Sequence, residues 1–87
     1  MVYHIRYTVS ANKELSEIPK VDYKKIVAAI NSLAENPFPN GSLKLEATKE
    51  KLFRIRKRNY KIIYSVEHDI ITITILKVAH RKDVYKS

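Results

Sequence analysis

The sequence predicts an α+β fold: a helical hairpin packed on one face of an antiparallel sheet, in the order β-α-α-β-β-β. Three observations carry this. Residues 2–9 alternate with period two, two segments between residues 11 and 36 carry apolar side chains at helical spacing, and residues 52–78 return to strand composition. With 87 residues, 45% of them hydrophobic, the chain suits one domain over residues 1–87 and is too apolar for a disordered one.

In residues 2–9, Tyr3, Ile5, Tyr7 and Val9 alternate with Val2, His4, Arg6 and Thr8. The first set forms the inward face of a strand. Ser10 then fits an N-cap, and "ANKELSEI" reads as a short helix turning Ala11, Leu15 and Ile18 inward. Pro19 separates it from "VDYKKIVAAINSLAEN", where Tyr23, Ile26, Val27, Ile30, Leu33 and Ala34 share one helical stripe. Asn36-Pro37 stops that helix, and "NPFPNGS" reads as a turn-rich loop. Leu43 and Leu45 follow in a short extended piece. Three strands are then expected over 52–57, 60–66 and 70–78, joined by two-residue turns at Arg58-Asn59 and His68-Asp69. The tail "AHRKDVYKS" has no apolar period.

The hairpin arithmetic assigns side chains to faces. A turn at Arg58-Asn59 sets Arg56 opposite Lys61, Ile55 opposite Ile62, and Phe53 opposite Tyr64. One face then gathers Phe53, Ile55, Ile62 and Tyr64 as core, and the other gathers Arg54, Arg56, Lys61 and Ile63. Continuing through the second turn pairs Tyr64 with Ile73 and Ile62 with Ile75. This adds Ile71, Ile73 and Ile75 to the core and Thr72, Thr74 and Leu76 to the basic face.

Like charges directly across strands repel, so Arg56 opposite Lys61 calls for a reason. Solubility, or protection against edge-to-edge aggregation, would also use cations here. Yet no carboxylate balances them on this face between Phe53 and Val66. The whole chain is basic as well, with 17 Lys plus Arg against 9 Asp plus Glu and a formal charge of +8. A face that binds a polyanion is the expectation. His80, Arg81 and Tyr85 follow the last strand, offering a proton-exchanging ring, a bidentate phosphate ligand and a base-stacking ring beside that face if the chain folds back over the sheet.

Other chemistries are excluded or weak. The chain has no Cys, so it has neither a disulfide framework nor a thiolate metal site. It contains no HExxH and no glycine-rich phosphate loop, and no cofactor or metal is expected. His4 and His68 read as an edge-strand residue and a turn residue. Without an apolar run of membrane-spanning length or a signal-peptide pattern, the chain is expected to be soluble and cytoplasmic, with no membrane partner.

The stretch "LFRIRKRNYKIIYSVEHDIITITILKVAHRKDVYK" resembles the C-terminal half of the RelE/ParE toxin superfamily. "RIR…YKIIY" and "VAHRKDVY" carry the match, and the helical hairpin before "NPFPNGSLKLEA" fits the same layout. The resemblance implies a toxin of a type II toxin–antitoxin system, held inactive by an acidic, RelB-like antitoxin. In the RelE-like branch it implies a metal-independent endoribonuclease that cuts mRNA in the ribosomal A site. There the ribose 2′-OH attacks the adjacent phosphate, leaving a 2′,3′-cyclic phosphate and a 5′-OH.

By the same resemblance, Arg54 and Arg56 stand where the family has strand lysines facing the scissile phosphate. Lys61 stands for an arginine after the hairpin turn that stabilises the transition state. Arg81 matches the arginine assigned as leaving-group acid, Tyr85 the tyrosine that orients the base, and His80 a histidine of some relatives that donates a proton. The chain departs from the pattern in that arginine is a poor general base and lysine offers a point charge instead of a fork. Two other functions share the fold or the charge. One is a ParE-like poison of DNA gyrase, and the other a basic RNA-binding module without catalysis.

Overall fold

The computed structural model describes residues 2–46 and 51–81. Its elements are β1 (His4–Tyr7), α1 (Val9–Ser16), α2 (Lys20–Leu33), β2 (Leu43–Leu45), β3 (Leu52–Lys57), β4 (Tyr60–Glu67) and β5 (Thr72–His80). The strands form one sheet in the order β1-β5-β4-β3-β2. Both helices pack on one face of it, and the short extended piece at Leu43 becomes its outer strand, paired with β3. No helix among the described residues is long and apolar enough to cross a membrane.

The helices bury the residues the spacing selects. Ala11, Leu15 and Ile18 of the first segment, and Ile26, Ile30 and Leu33 of α2, meet Ile55, Tyr60, Ile62, Tyr64, Ile73, Ile75 and Val78 of the sheet. Each fully buried aliphatic side chain contributes about 1.5–3 kcal/mol, which is what the stripe on α2 supplies to a small core. Tyr23, expected on that stripe, is instead exposed at its margin.

The first strand is shorter than its alternation suggests. Thr8 is extended (φ −71°, ψ 163°), and its hydroxyl accepts the Ala11 N–H at 3.1 Å. Thr8, not Ser10, is therefore the N-cap, and the helix begins at Val9. Val9 is 89% exposed and does not extend the inward face, whereas Tyr7, beside Ile75 in the register, ends that face at its half-exposed rim.

The sheet is mixed rather than antiparallel, because β1 runs parallel to β5 with Ile5 beside Ile73 and Arg6 beside Thr74. Hairpin arithmetic pairs only chain neighbours, whereas β1 is separated from β5 by both helices and three strands. Backbone bonds fix the choice: His4 N–H donates to the Ile71 carbonyl (2.9 Å) and Thr8 N–H to that of Ile75 (3.0 Å).

The β3–β4 hairpin has the expected register, with Arg56 opposite Lys61 and Ile55 opposite Ile62. Its positive φ (58°) falls on Arg58 rather than Asn59. The β4–β5 hairpin differs. Glu67 pairs with Thr72, so four residues from His68 to Ile71 turn the chain, and Ile71 takes φ 49°. Ile71 thus sits half-buried in the turn instead of in the core. Tyr64 faces Ile75 and Val66 faces Ile73, a shift of two residues from the expected pairing. An even shift preserves faces, so Ile73 and Ile75 remain core and Thr72 and Thr74 remain on the open face. A β-bulge beside Ile63 and Tyr64 then inserts one residue, pairing Ile62 with Val78 and Lys61 with Ala79. The strand consequently extends through His80, into what reads in sequence as the tail.

Candidate functional site

The face of the sheet opposite the helices is the candidate site. Register alone puts Arg54, Arg56, Lys61 and Ile63 on it, because their strand neighbours Phe53, Ile55, Ile62 and Tyr64 fill the core. Arg56 is exposed, while Arg54 and Lys61 are half-buried. No ion pair among the described residues involves Arg54, Arg56 or Lys61. A row of cations on a sheet, mutually repelling and without a counter-charge among the described residues, can stabilise a bound phosphate or a developing negative charge.

The site extends beyond the two strands that sequence reasoning used. Beside Ile63 lies Lys77 of β5, and two rows away Arg6 of β1 stands next to Thr74. Lys77 differs from the central three in having a carboxylate near it, with Glu14 Oε2 at 3.7 Å from its Nζ. Arg6 was hidden because only the parallel β1–β5 pairing brings it to this face. Its alternation with Ile5 and Tyr7 was the available signal, and the strand order was the missing one.

The β3–β4 turn at one end of the cluster is fastened twice. Arg58 Nε donates to Asp22 Oδ1 at 2.9 Å, tying the turn to α2. Next to it, Arg81 N–H donates to the Asn59 carbonyl at 2.6 Å. Arg81, exposed and directly after β5, is therefore anchored to the turn between Arg56 and Lys61.

His80 is not brought to the cluster. It pairs opposite Tyr60, and residues directly opposite share a face. Tyr60 belongs to the core side, and the His80 ring stands edge-on to it, with centroids 5.0 Å apart and planes at 90°. The imidazole sits at the end of the helix-side layer, with the sheet between it and Lys61. Tyr85 lies outside the described residues. Among those described, no group of three or more His, Asp or Glu side chains is placed to hold a metal ion.

Comparison with known proteins gives concordant findings. The family model "ParE toxin of type II toxin-antitoxin system, parDE" matches residues 5–85. Toxin RelG of Mycobacterium tuberculosis is 29% identical over 87 residues, covering 99% of each chain. The toxin fold in the archaeal RelE–RelB complex from Pyrococcus horikoshii superimposes with a TM-score of 0.81 at 32% identity, covering 93% of this chain and 97% of that one. The isolated RelE toxin of Escherichia coli has the same fold, with a TM-score of 0.78 at 19% identity over 97% of this chain and 92% of its own.

Proposed function

The chain belongs to the RelE/ParE superfamily of type II toxin–antitoxin toxins, and from that premise we propose that it is a ribosome-dependent endoribonuclease acting on mRNA in the cytoplasm. One observation carries the reading: three cations, none of them paired with a carboxylate among the described residues, share the open sheet face, and Arg81 is anchored at their end. A protein ligand of gyrase has no need of such a phosphate-facing set.

In the proposed reaction the ribose 2′-oxygen attacks the adjacent phosphorus, and the bond from phosphorus to the 5′-oxygen breaks. The products are a 2′,3′-cyclic phosphate and a 5′-hydroxyl, so the proton released by the 2′-OH is balanced by one taken up at the 5′-oxygen. Arg54, Arg56 and Lys61 hold the phosphate and offset the charge that grows on its oxygens. Arg81 is assigned to supporting the leaving oxygen on the strength of the motif, and its backbone anchor to Asn59 is consistent with that assignment. Arginine remains charged at ordinary pH, so positioning and electrostatics supply most of the rate rather than proton abstraction by these residues. His80, paired with Tyr60 on the helix side, is assigned no step in this reaction. Tyr85 is assigned to orienting the base on the strength of the motif.

The same bare face explains a need for a partner. An acidic antitoxin chain that folds on contact would neutralise it, as the RelE–RelB pairing of the archaeal relative suggests. The deciding experiment is primer extension on mRNA in a reconstituted translation reaction, with wild type beside Arg81→Ala. Ribosome-dependent stops within codons, lost in the variant, are expected. Intact mRNA together with inhibited gyrase supercoiling would instead favour the ParE-like alternative.

A further inference from the structure

Glu14 lies on α1, outside the cluster, yet it reaches the strand that delivers Arg81. β1 ends at Tyr7, so β5 loses its parallel neighbour beyond Ile75. Two side chains from the following segment continue the edge where the strand stops. Thr8 Oγ1 donates to the Leu76 carbonyl at 3.3 Å, and Glu14 Oε1 accepts the Val78 N–H at 2.8 Å. Val78 pairs with Ile62 on its other side, and its N–H points away from β4 toward Glu14. The bulge puts this bond immediately after the irregular step in β5, where the ladder itself is weakest. The carboxylate also stands 3.7 Å from Lys77 Nζ, giving that cation of β5 a nearby counter-charge.

We propose that Glu14 is a positioning residue of the open-face site: by holding Val78 it fixes the end of β5 and, through it, the placement of Arg81 against the Arg58-Asn59 turn. The proposal deepens the nuclease reading and rests on it for its kinetic consequence. A charged acceptor on a backbone N–H is a strong bond for its size, and a solvent molecule in its place would lack the tether to α1. The two oxygens separate into distinct tasks, one on the backbone of β5 and one toward Lys77. Substitutions can tell these apart, because glutamine keeps an acceptor oxygen and loses the charge.

The test compares wild type, Glu14→Ala and Glu14→Gln by amide hydrogen exchange and by cleavage of ribosome-bound mRNA. In Glu14→Ala, exchange at Val78 through Arg81 should quicken by about ten- to hundredfold while Ile62 and Ile73 stay protected. Its kcat should fall by about tenfold or more with KM little changed, since the phosphate-binding cations remain. Glu14→Gln, which keeps the acceptor oxygen without its charge, should fall clearly between alanine and wild type in both. Should Glu14→Ala fail to fold, Glu14→Asp, one methylene short of Val78, takes its place in the same comparison. Unchanged exchange at Val78 in the alanine variant would overturn the proposal, as would a glutamine variant equal to alanine. Wild-type protein that leaves mRNA intact would overturn the nuclease reading, while the exchange comparison judges Glu14 independently of it.

Discussion

Replacing Lys61 by Thr should stabilise the protein while it impairs cleavage. Arg56 and Lys61 are direct cross-strand partners, and like charges so placed cost about 0.2–1 kcal/mol. Lys61 is half-buried, so water screens the pair incompletely and the upper part of that range applies. Threonine's own preference for strands is worth up to about 1 kcal/mol, enough to imitate the effect in a single variant. A double-mutant cycle over Arg56→Thr and Lys61→Thr cancels it and leaves the coupling. The expected coupling is repulsive, about 0.5–1 kcal/mol at low salt. It should shrink toward zero near 1 M salt, where the screening length falls to about 3 Å. Urea unfolding with constant slope is the assay. Cleavage should move the other way, with kcat falling about a hundredfold for loss of one charge-stabilising donor. Zero or attractive coupling at low salt would refute the reasoning. The cations would then carry no strain for a bound phosphate to relieve.

Two further predictions concern Tyr64, whose hydroxyl donates to the Pro37 carbonyl at 2.7 Å and ties the loop after α2 to the sheet. Tyr64→Phe keeps the ring beside Phe53 but strands that carbonyl, and should cost about 1–3 kcal/mol. A melting temperature lowered by roughly 4–8 °C per kcal/mol would register it, and an unchanged melt would count against the bond. Burial also pushes the Tyr64 hydroxyl up to about 12 from 10.0, with a Ser42 hydrogen bond acting the other way. The folded state thus keeps a proton that the unfolded chain releases near pH 10. Its contribution is full below pH 10 and is lost as pH rises through about 12. Burial and the neighbouring Tyr23 raise Tyr7 in the same direction. Unfolding free energies across this range should decline, and Tyr64→Phe should flatten the slope.

What could be read in the sequence follows from the range of each interaction. The β3–β4 hairpin is local, and the positions of Arg54, Arg56 and Lys61 came from counting away from a two-residue turn. The helix stripes were equally accessible, because Ile26, Ile30 and Leu33 repeat at the spacing of the helix itself. The second hairpin was misjudged by its turn length, since Ile70 and Ile71 have strand composition yet serve in a turn closed by β1. That closure is a contact between residues far apart in sequence, His4 with Ile71, which no local count reveals. The same non-local pairing hid Arg6 and turned an expected antiparallel sheet into a mixed one. His80 reads in sequence as part of a tail beside the open face, whereas β5 runs through it and pairs it with Tyr60. The bulge in β5 adds one residue to the alternation, and a single extra residue sends every later side chain to the other face.

That sensitivity also explains how a face of mutually repelling cations survives in a small protein. Side chains on a strand alternate, so the register that exposes Arg54, Arg56 and Lys61 is the one that buries Phe53, Ile55, Ile62 and Tyr64. Slipping by one residue would relieve little repulsion and would turn the core side chains to water. Ile62 and Tyr64 are fully buried, and each such side chain is worth about 1.5–3 kcal/mol, against about 0.2–1 kcal/mol for an opposed charge pair. The core therefore dictates where the cations stand, and the cations have almost no influence on the core. Substitutions on the open face are free to tune binding and chemistry without endangering the fold. Substitutions beneath it, such as any that shrink Ile62, act on the site by loosening the register that aims it.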